Sequence, residues 1–252
     1  MKKLLAIFFA TFFCSLSCAE IIQVPSEYGD TPTGYWASPN SKAVVMSLPG
    51  GAGSFNIAGR NPPAPTWLLS TLHQDSAKGG GVDIVFVDSP FPIGPNISPR
   101  YTKEHLVRVE SVVKFYKEKL HKPIYLMGHS NGTISLAEFL NRSPENQQLI
   151  AGAIFSGSRN ETTLDGQLNL PILFLHHAED PNGRWTSYDN AHSLYEKIKK
   201  VNKSSTEFES VHGGESGDPS EGGHHMYIGS FDEAAKYVEN FISRQSLLGS
   251  GK

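Results

Sequence analysis

Residues 128–132 read Gly128-His129-Ser130-Asn131-Gly132. A serine with glycine two places before and two places after it can occupy a turn too tight for larger neighbours, so its hydroxyl stands clear of the backbone. The chemistry open to such a serine is nucleophilic attack on an acyl carbon. Alone it is a weak nucleophile and needs a base, with a third group to orient that base. Asp180 is a candidate for the orienting acid, at the end of Pro171-Ile172-Leu173-Phe174-Leu175-His176-His177-Ala178-Glu179-Asp180, and Glu179 competes with it. Candidates for the base are His224 and His225, in Gly222-Gly223-His224-His225-Met226-Tyr227. Acyl transfer also needs N–H donors for the developing oxyanion. Pro49-Gly50-Gly51-Ala52-Gly53 offers bare backbone at Gly51 or Ala52, and Asn131 offers the N–H directly after the serine. Each piece has a bland reading: a glycine-rich turn, an aspartate forming a turn before Pro181, a solvated histidine.

These residues need a scaffold that delivers them to one place. The chain alternates short apolar runs with amphipathic stretches. Strands are predicted over 42–48, 82–87, 123–127, 149–155, 171–175 and 206–211. They are not strictly alternating, as befits strands buried on both faces. Helices are predicted over 67–77, 102–120, 131–141, 188–201 and 231–243; Leu106, Val109, Val112, Val113, Tyr116 and Leu120 form one stripe of the second. Ser230-Phe231-Asp232-Glu233 reads as a capping box opening the last helix. Strand and helix in alternation imply a mostly parallel α/β sheet covered on both faces. Ser130 then falls between a strand and a helix, and Asp180 and the histidines fall at later strand ends, in the order serine, acid, histidine that such an elbow expects. The segments 89–100 and 213–223, rich in Pro or Gly, belong at the carboxyl ends of the strands, where ligands bind.

Taken together, the elbow, the acid, the histidine and the glycine run resemble the α/β-hydrolase family over about residues 40–243. The resemblance implies Ser130 as nucleophile, Asp180 as acid, His225 or His224 as base, and the N–H groups of Gly51 or Ala52 and of Asn131 as oxyanion hole. Small exported bacterial hydrolases of this fold are a closer likeness. Val87-Asp88-Ser89-Pro90 and His176 to Asp180 are similar to segments of theirs. Their terminal His-Gly-Phe-x-Gly is similar to His225-Met226-Tyr227-Ile228-Gly229, which ranks His225 ahead of His224. Here Met226 replaces the glycine after the histidine, and the cysteines some relatives carry near these loops are absent. Only residues 156–170 separate the two strands between which most members insert a lid, so no lid domain and an open cleft are expected. The resemblance implies a serine hydrolase, most simply an esterase for small soluble esters, with no cofactor. A peptidase, a thioesterase or a non-catalytic binding protein of the same fold is the alternative.

The remaining features bound the setting. The chain has 252 residues, 38% of them hydrophobic, a net charge of −3, and no basic cluster of the kind that marks a nucleic-acid partner. Lys2 and Lys3, the apolar run Leu4 to Phe13 and the small residues Ser17-Cys18-Ala19 read as a signal peptide over 1–19. A single domain over 20–252 is expected, exported to the periplasm or secreted. A lipid anchor at Cys18 is the lesser reading, because the leucine of Ser15-Leu16-Ser17-Cys18 lies one place off. No stretch is long and apolar enough to span a membrane. Adjacent histidines on a strand point to opposite faces, so His176-His177 and His224-His225 give at most one metal ligand each, and no metal is expected. The substrate and the oligomeric state are not legible.

Overall fold

A computed structural model describes residues 20–57, 67–76, 81–89, 97–165, 167–214 and 223–249. The expected signal segment, Cys18 and parts of the 89–100 and 213–223 segments lie outside them. Eight strands form one sheet: β1 (Glu20–Val24), β2 (Thr31–Trp36), β3 (Ala43–Leu48), β4 (Val82–Val87), β5 (Ile124–His129), β6 (Gly152–Ser156), β7 (Ile172–His177) and β8 (Thr206–Val211). Their spatial order is β1-β2-β4-β3-β5-β6-β7-β8. The pairs β1–β2 and β2–β4 are antiparallel and all others parallel. Every residue of β3, β4, β6 and β7 is buried, the two-sided burial that their near-continuous apolar runs predict.

The helices cover both faces, as expected. On one face, α1 (Trp67–Ser76) and α6 (Phe231–Gly249) pack Leu68, Leu69, Leu72, Ala235, Val238 and Phe241 onto Val45, Ile84 and Leu173. On the other lie α2 (Lys103–Leu120), α3 (Gly132–Arg142), α4 (Pro144–Leu149) and α5 (Tyr188–Lys199). There Val109, Val112, Tyr116, Leu136, Phe139 and Ile198 meet Val44, Met46, Leu126 and Phe174. The connection from β6 to β7 carries no helix among its described residues.

Three local expectations are corrected. The strand expected from residue 149 starts at Gly152, because α4 takes 144–149. The Ser143 side chain caps it by accepting the Asn146 N–H at 3.2 Å, with Pro144 in the first turn. The last helix begins at Phe231 and runs to Gly249, past the predicted 243. Its capping-box bonds are replaced: Ser230 Oγ donates to Tyr227 O at 3.4 Å, and the Glu233 carboxylate accepts the His212 N–H at 3.0 Å and the Tyr237 hydroxyl at 3.0 Å. Strands β1 and β2 were not anticipated. At the other rim, β8 presents Glu207 and Glu209 to Arg244 of α6.

Candidate active site

Strand β5 passes into α3 through Ser130 and Asn131. Ser130 has φ +53°, a left-handed conformation that costs a side-chain-bearing residue free energy. Backbone bonds hold it there: Ser130 N–H donates to Ser156 O at 2.9 Å, and Ser130 O accepts the Thr133 N–H at 2.9 Å and the Thr133 hydroxyl at 2.6 Å. The flanking glycines are required by contact. A Cβ on Gly128 would lie 2.4 Å from Gly132 O, and one on Gly132 would lie 2.2 Å from Leu48 O. Gly50 approaches Ser130 so closely that a Cβ there would lie 2.9 Å from Ser130 Cβ.

Beyond the end of β7, Asp180 turns its carboxylate inward, 1% exposed. Oδ2 accepts His225 Nδ1–H at 2.7 Å and the Thr186 hydroxyl at 2.9 Å, with His176 Nε2 3.4 Å away; Oδ1 accepts the Asn182 N–H at 2.8 Å. Burial opposes the Asp180 charge. The hydrogen bonds from His176 and His225, the His225 charge and the Asn182 N–H outweigh burial and hold the carboxyl well below the usual carboxylate range.

The two candidate histidines part company. His225 lies on the Asp180 side, against Gly157, where a Cβ would meet His225 Cε1 at 3.0 Å. His224 stacks on His177, centroids 4.2 Å apart and planes at 5°, and its Nδ1 donates to Glu179 O at 3.2 Å. Glu179, the competing acid, is exposed and faces His224, not His225. His176 and His177 point to opposite sides of β7, which separates the two histidine–acid pairs. Ser130 is partly exposed and the His225 side chain is 10% exposed, and no hydrogen bond joins the two among the described residues.

His177, Glu179 and His224 do bring possible metal-ligating atoms within 4.8 Å of one another. They do not fit an ion. His177 Nε2 donates to Gly213 O at 2.8 Å and its Nδ1 accepts the Glu179 N–H at 3.1 Å, so neither nitrogen keeps a lone pair to give. Parallel stacked rings also cannot aim their in-plane lone pairs at one point.

On the far side of Ser130, Gly51 has φ +49° and is exposed, as is Ala52. The Gly50 carbonyl accepts the Gly53 N–H at 2.9 Å, and the Gly51 carbonyl accepts Asn131 Nδ2–H at 3.0 Å. The N–H groups of Gly51, Ala52 and Asn131 bond no other described residue. Asp88 fixes the next turn by accepting the N–H groups of Phe55 and Ile57, the latter at 2.9 Å. Asp88→Ala strands two buried donors, and urea unfolding should show a loss of about 2 kcal/mol.

Sequence reasoning passed over several neighbours. Thr186 secures Asp180. His129, a variable place in the serine motif, has its ring 4.9 Å from that of His225, with Nε2 3.1 Å from Met226 Sδ. Tyr227 gives its proton to Leu175 O at 2.9 Å, so Ser156 Oγ donates to Tyr227 and accepts from His129 Nδ1 at 3.0 Å. Burial, then the His225 charge, push His129 down to about 3. Burial with the charges of Arg100 and Arg108 pushes His105 down to about 4. Both folded values lie below the ordinary histidine value near 6.5. As pH falls below about 6.5, the unfolded chain takes up protons that the folded chain refuses, so stability falls until the folded values are reached. Asp180 adds to this loss at lower pH. At about 1.4 kcal/mol per pKa unit, the two histidines alone can remove several kcal/mol. Urea midpoints should therefore drop steadily from pH 7 to pH 4.5; a flat profile would contradict the buried neutral state of both rings.

No family model and no curated protein matches the chain. Solved structures do. A hyperthermophilic esterase from Pyrobaculum calidifontis aligns with TM-score 0.63 at 12% identity, covering 91% of this chain and 83% of that one. An α/β serine hydrolase without lid from Xanthomonas campestris aligns with TM-score 0.61 at 8% identity, covering 90% and 94%. A dienelactone hydrolase from Anabaena variabilis aligns with TM-score 0.60 at 11% identity, covering 90% and 97%. The chain has the α/β-hydrolase fold.

Proposed function

We propose that this chain is a serine hydrolase and, more narrowly, a carboxylic ester hydrolase. One observation carries the reading: a serine held left-handed at a strand-to-helix turn, beside an aspartate–histidine pair hydrogen-bonded at 2.7 Å. In the proposed reaction His225 Nε2 takes the Ser130 proton as Ser130 Oγ attacks the acyl carbon. Asp180 keeps Nδ1 protonated and stabilises the imidazolium. N–H groups of Gly51 or Ala52 and of Asn131 receive the oxyanion. His225 returns the proton to the leaving alkoxide, and water then attacks the acyl-enzyme by the same route. No cofactor enters. A β6–β7 connection with no helix among its described residues supports an open cleft, which suits small soluble esters better than long acyl chains.

The test is labelling by a fluorophosphonate probe, wild type beside Ser130→Ala, followed by a panel of short-chain esters, thioesters and peptides. Labelling that vanishes in Ser130→Ala supports an activated serine. The panel separates esterase from thioesterase and peptidase. A folded wild type that takes no label would point to a binding protein instead. We also propose export to the periplasm or beyond, with cleavage after Ala19; N-terminal sequencing of the protein recovered outside the cytoplasm checks it.

A further inference from the structure

Arg100 is 1% exposed, among the largest fully buried side chains described. A buried guanidinium ordinarily has a carboxylate beside it, since burying an unpaired charge is costly. Arg100 has none among the described residues: its hydrogen-bond partners are neutral, and the neighbouring charge that acts on it is a second cation, Arg159. Its Nη1 donates to Ser135 Oγ at 2.9 Å, and its Nε has no partner. Ser135 passes its own proton to His105 Nε2 at 2.8 Å, which anchors the guanidinium from behind.

The other end of the guanidinium shows what the charge serves. A single nitrogen, Nη2, lies 3.4 Å from both Gly50 O and Gly51 O. A trans peptide directs its N–H opposite to its carbonyl. Holding these two carbonyls inward therefore aims the N–H groups of Gly51 and Ala52 outward, on exposed backbone that abuts Ser130 through Gly50. A fixed positive charge behind two peptides also polarises them along the direction in which they donate.

We propose that Arg100 is a positioning residue for the oxyanion loop: it sets the Gly50–Gly51 and Gly51–Ala52 peptides with their N–H groups toward the cleft and strengthens them as donors when negative charge develops on the substrate. This rests on the serine-hydrolase reading. It also accounts for the lack of an acid beside this buried arginine among the described residues, since a neutralising carboxylate would cancel the field at the oxyanion.

The test compares wild type with Arg100→Met, Arg100→Lys and Ser135→Ala on a short-chain nitrophenyl ester. Sites are counted by fluorophosphonate titration, and affinity is measured for a trifluoromethyl ketone, whose adduct with the serine carries an oxyanion. Removing one direct oxyanion donor costs about 10²–10³ in kcat, so a group one peptide behind should cost less. Arg100→Met should lower kcat per titrated site about 30-fold, with KM within about threefold, and weaken the ketone by a similar factor. Arg100→Lys keeps the charge but loses the bridge, and should fall between. Ser135→Ala loosens the anchor and should give the same pattern at about fivefold, which keeps the test open if Arg100→Met does not fold. A purely structural role would lower thermal stability and the number of titratable sites while leaving kcat per site and ketone affinity unchanged, and that result overturns the proposal. A folded wild type without labelling would instead overturn the serine-hydrolase reading and this proposal with it.

Discussion

Replacing His225 with alanine is expected to lower kcat for a short-chain ester by roughly 10⁴- to 10⁶-fold, while His224→Ala stays within about tenfold of wild type. The contrast follows from what each ring touches. His225 Nδ1 is committed to the Asp180 carboxylate at 2.7 Å, which leaves Nε2 as the bare nitrogen that can take a proton from a hydroxyl. His224 spends Nδ1 on the Glu179 carbonyl and lies flat against His177 on the other side of β7. Steady-state rates per folded molecule, with circular dichroism to verify folding, give the comparison. An equal loss in both variants would mean that the two histidines work as one unit, contrary to the geometry.

The second large effect is on the fold itself. Gly132→Ala should destabilise the protein by about 3 kcal/mol or more, at the severe end for an overpacked position. The added Cβ would lie 2.2 Å from Leu48 O and 3.1 Å from Pro49 O, and both are backbone atoms where β3 meets the glycine loop. A flexible side chain could swing aside, but a carbonyl at the end of a central strand cannot move without dragging the loop that bears Gly51 and Ala52. Urea unfolding should show the loss of stability, and the surviving folded fraction should lose activity as well. Gly51→Ala is a useful contrast: a Cβ there meets nothing within 4 Å, so its cost is confined to the left-handed backbone.

Much of the scaffold was legible because parallel strands buried on both faces read as near-continuous apolar runs, as β3, β4, β5, β6 and β7 do, whereas β8 mixes Glu207, Glu209 and Ser210 with its apolar residues. Strands β1 and β2 escaped notice because Glu20–Val24 and Thr31–Trp36 mix charge, Pro, Gly and Thr in antiparallel pairs at the rim. The α4 signal was present in Ser143-Pro144-Glu145, but the apolar residues from Leu149 onward outweighed it. At the site, residue types and order bring out Ser130, Asp180 and His225. They cannot reveal neighbours that meet only through folding. Thr186 reads as an ordinary loop residue, His129 as a filler between two glycines, and Arg100 as a solvated charge in a proline-rich loop. Which of two adjacent histidines pairs with which of two adjacent acids is a question of strand facing, and only the folded chain answers it.

The rim strand β8 bears on how copies of this protein meet. A sheet edge exposes unpaired N–H and C=O groups that could add a strand from a neighbour. Here Glu207 and Glu209 lie on one face of that edge and share a single arginine, Arg244. Pairing two such edges side by side would gather four carboxylates around two guanidinium groups. The resulting repulsion disfavours side-by-side pairing of these edges, and with it growth of the sheet into larger aggregates.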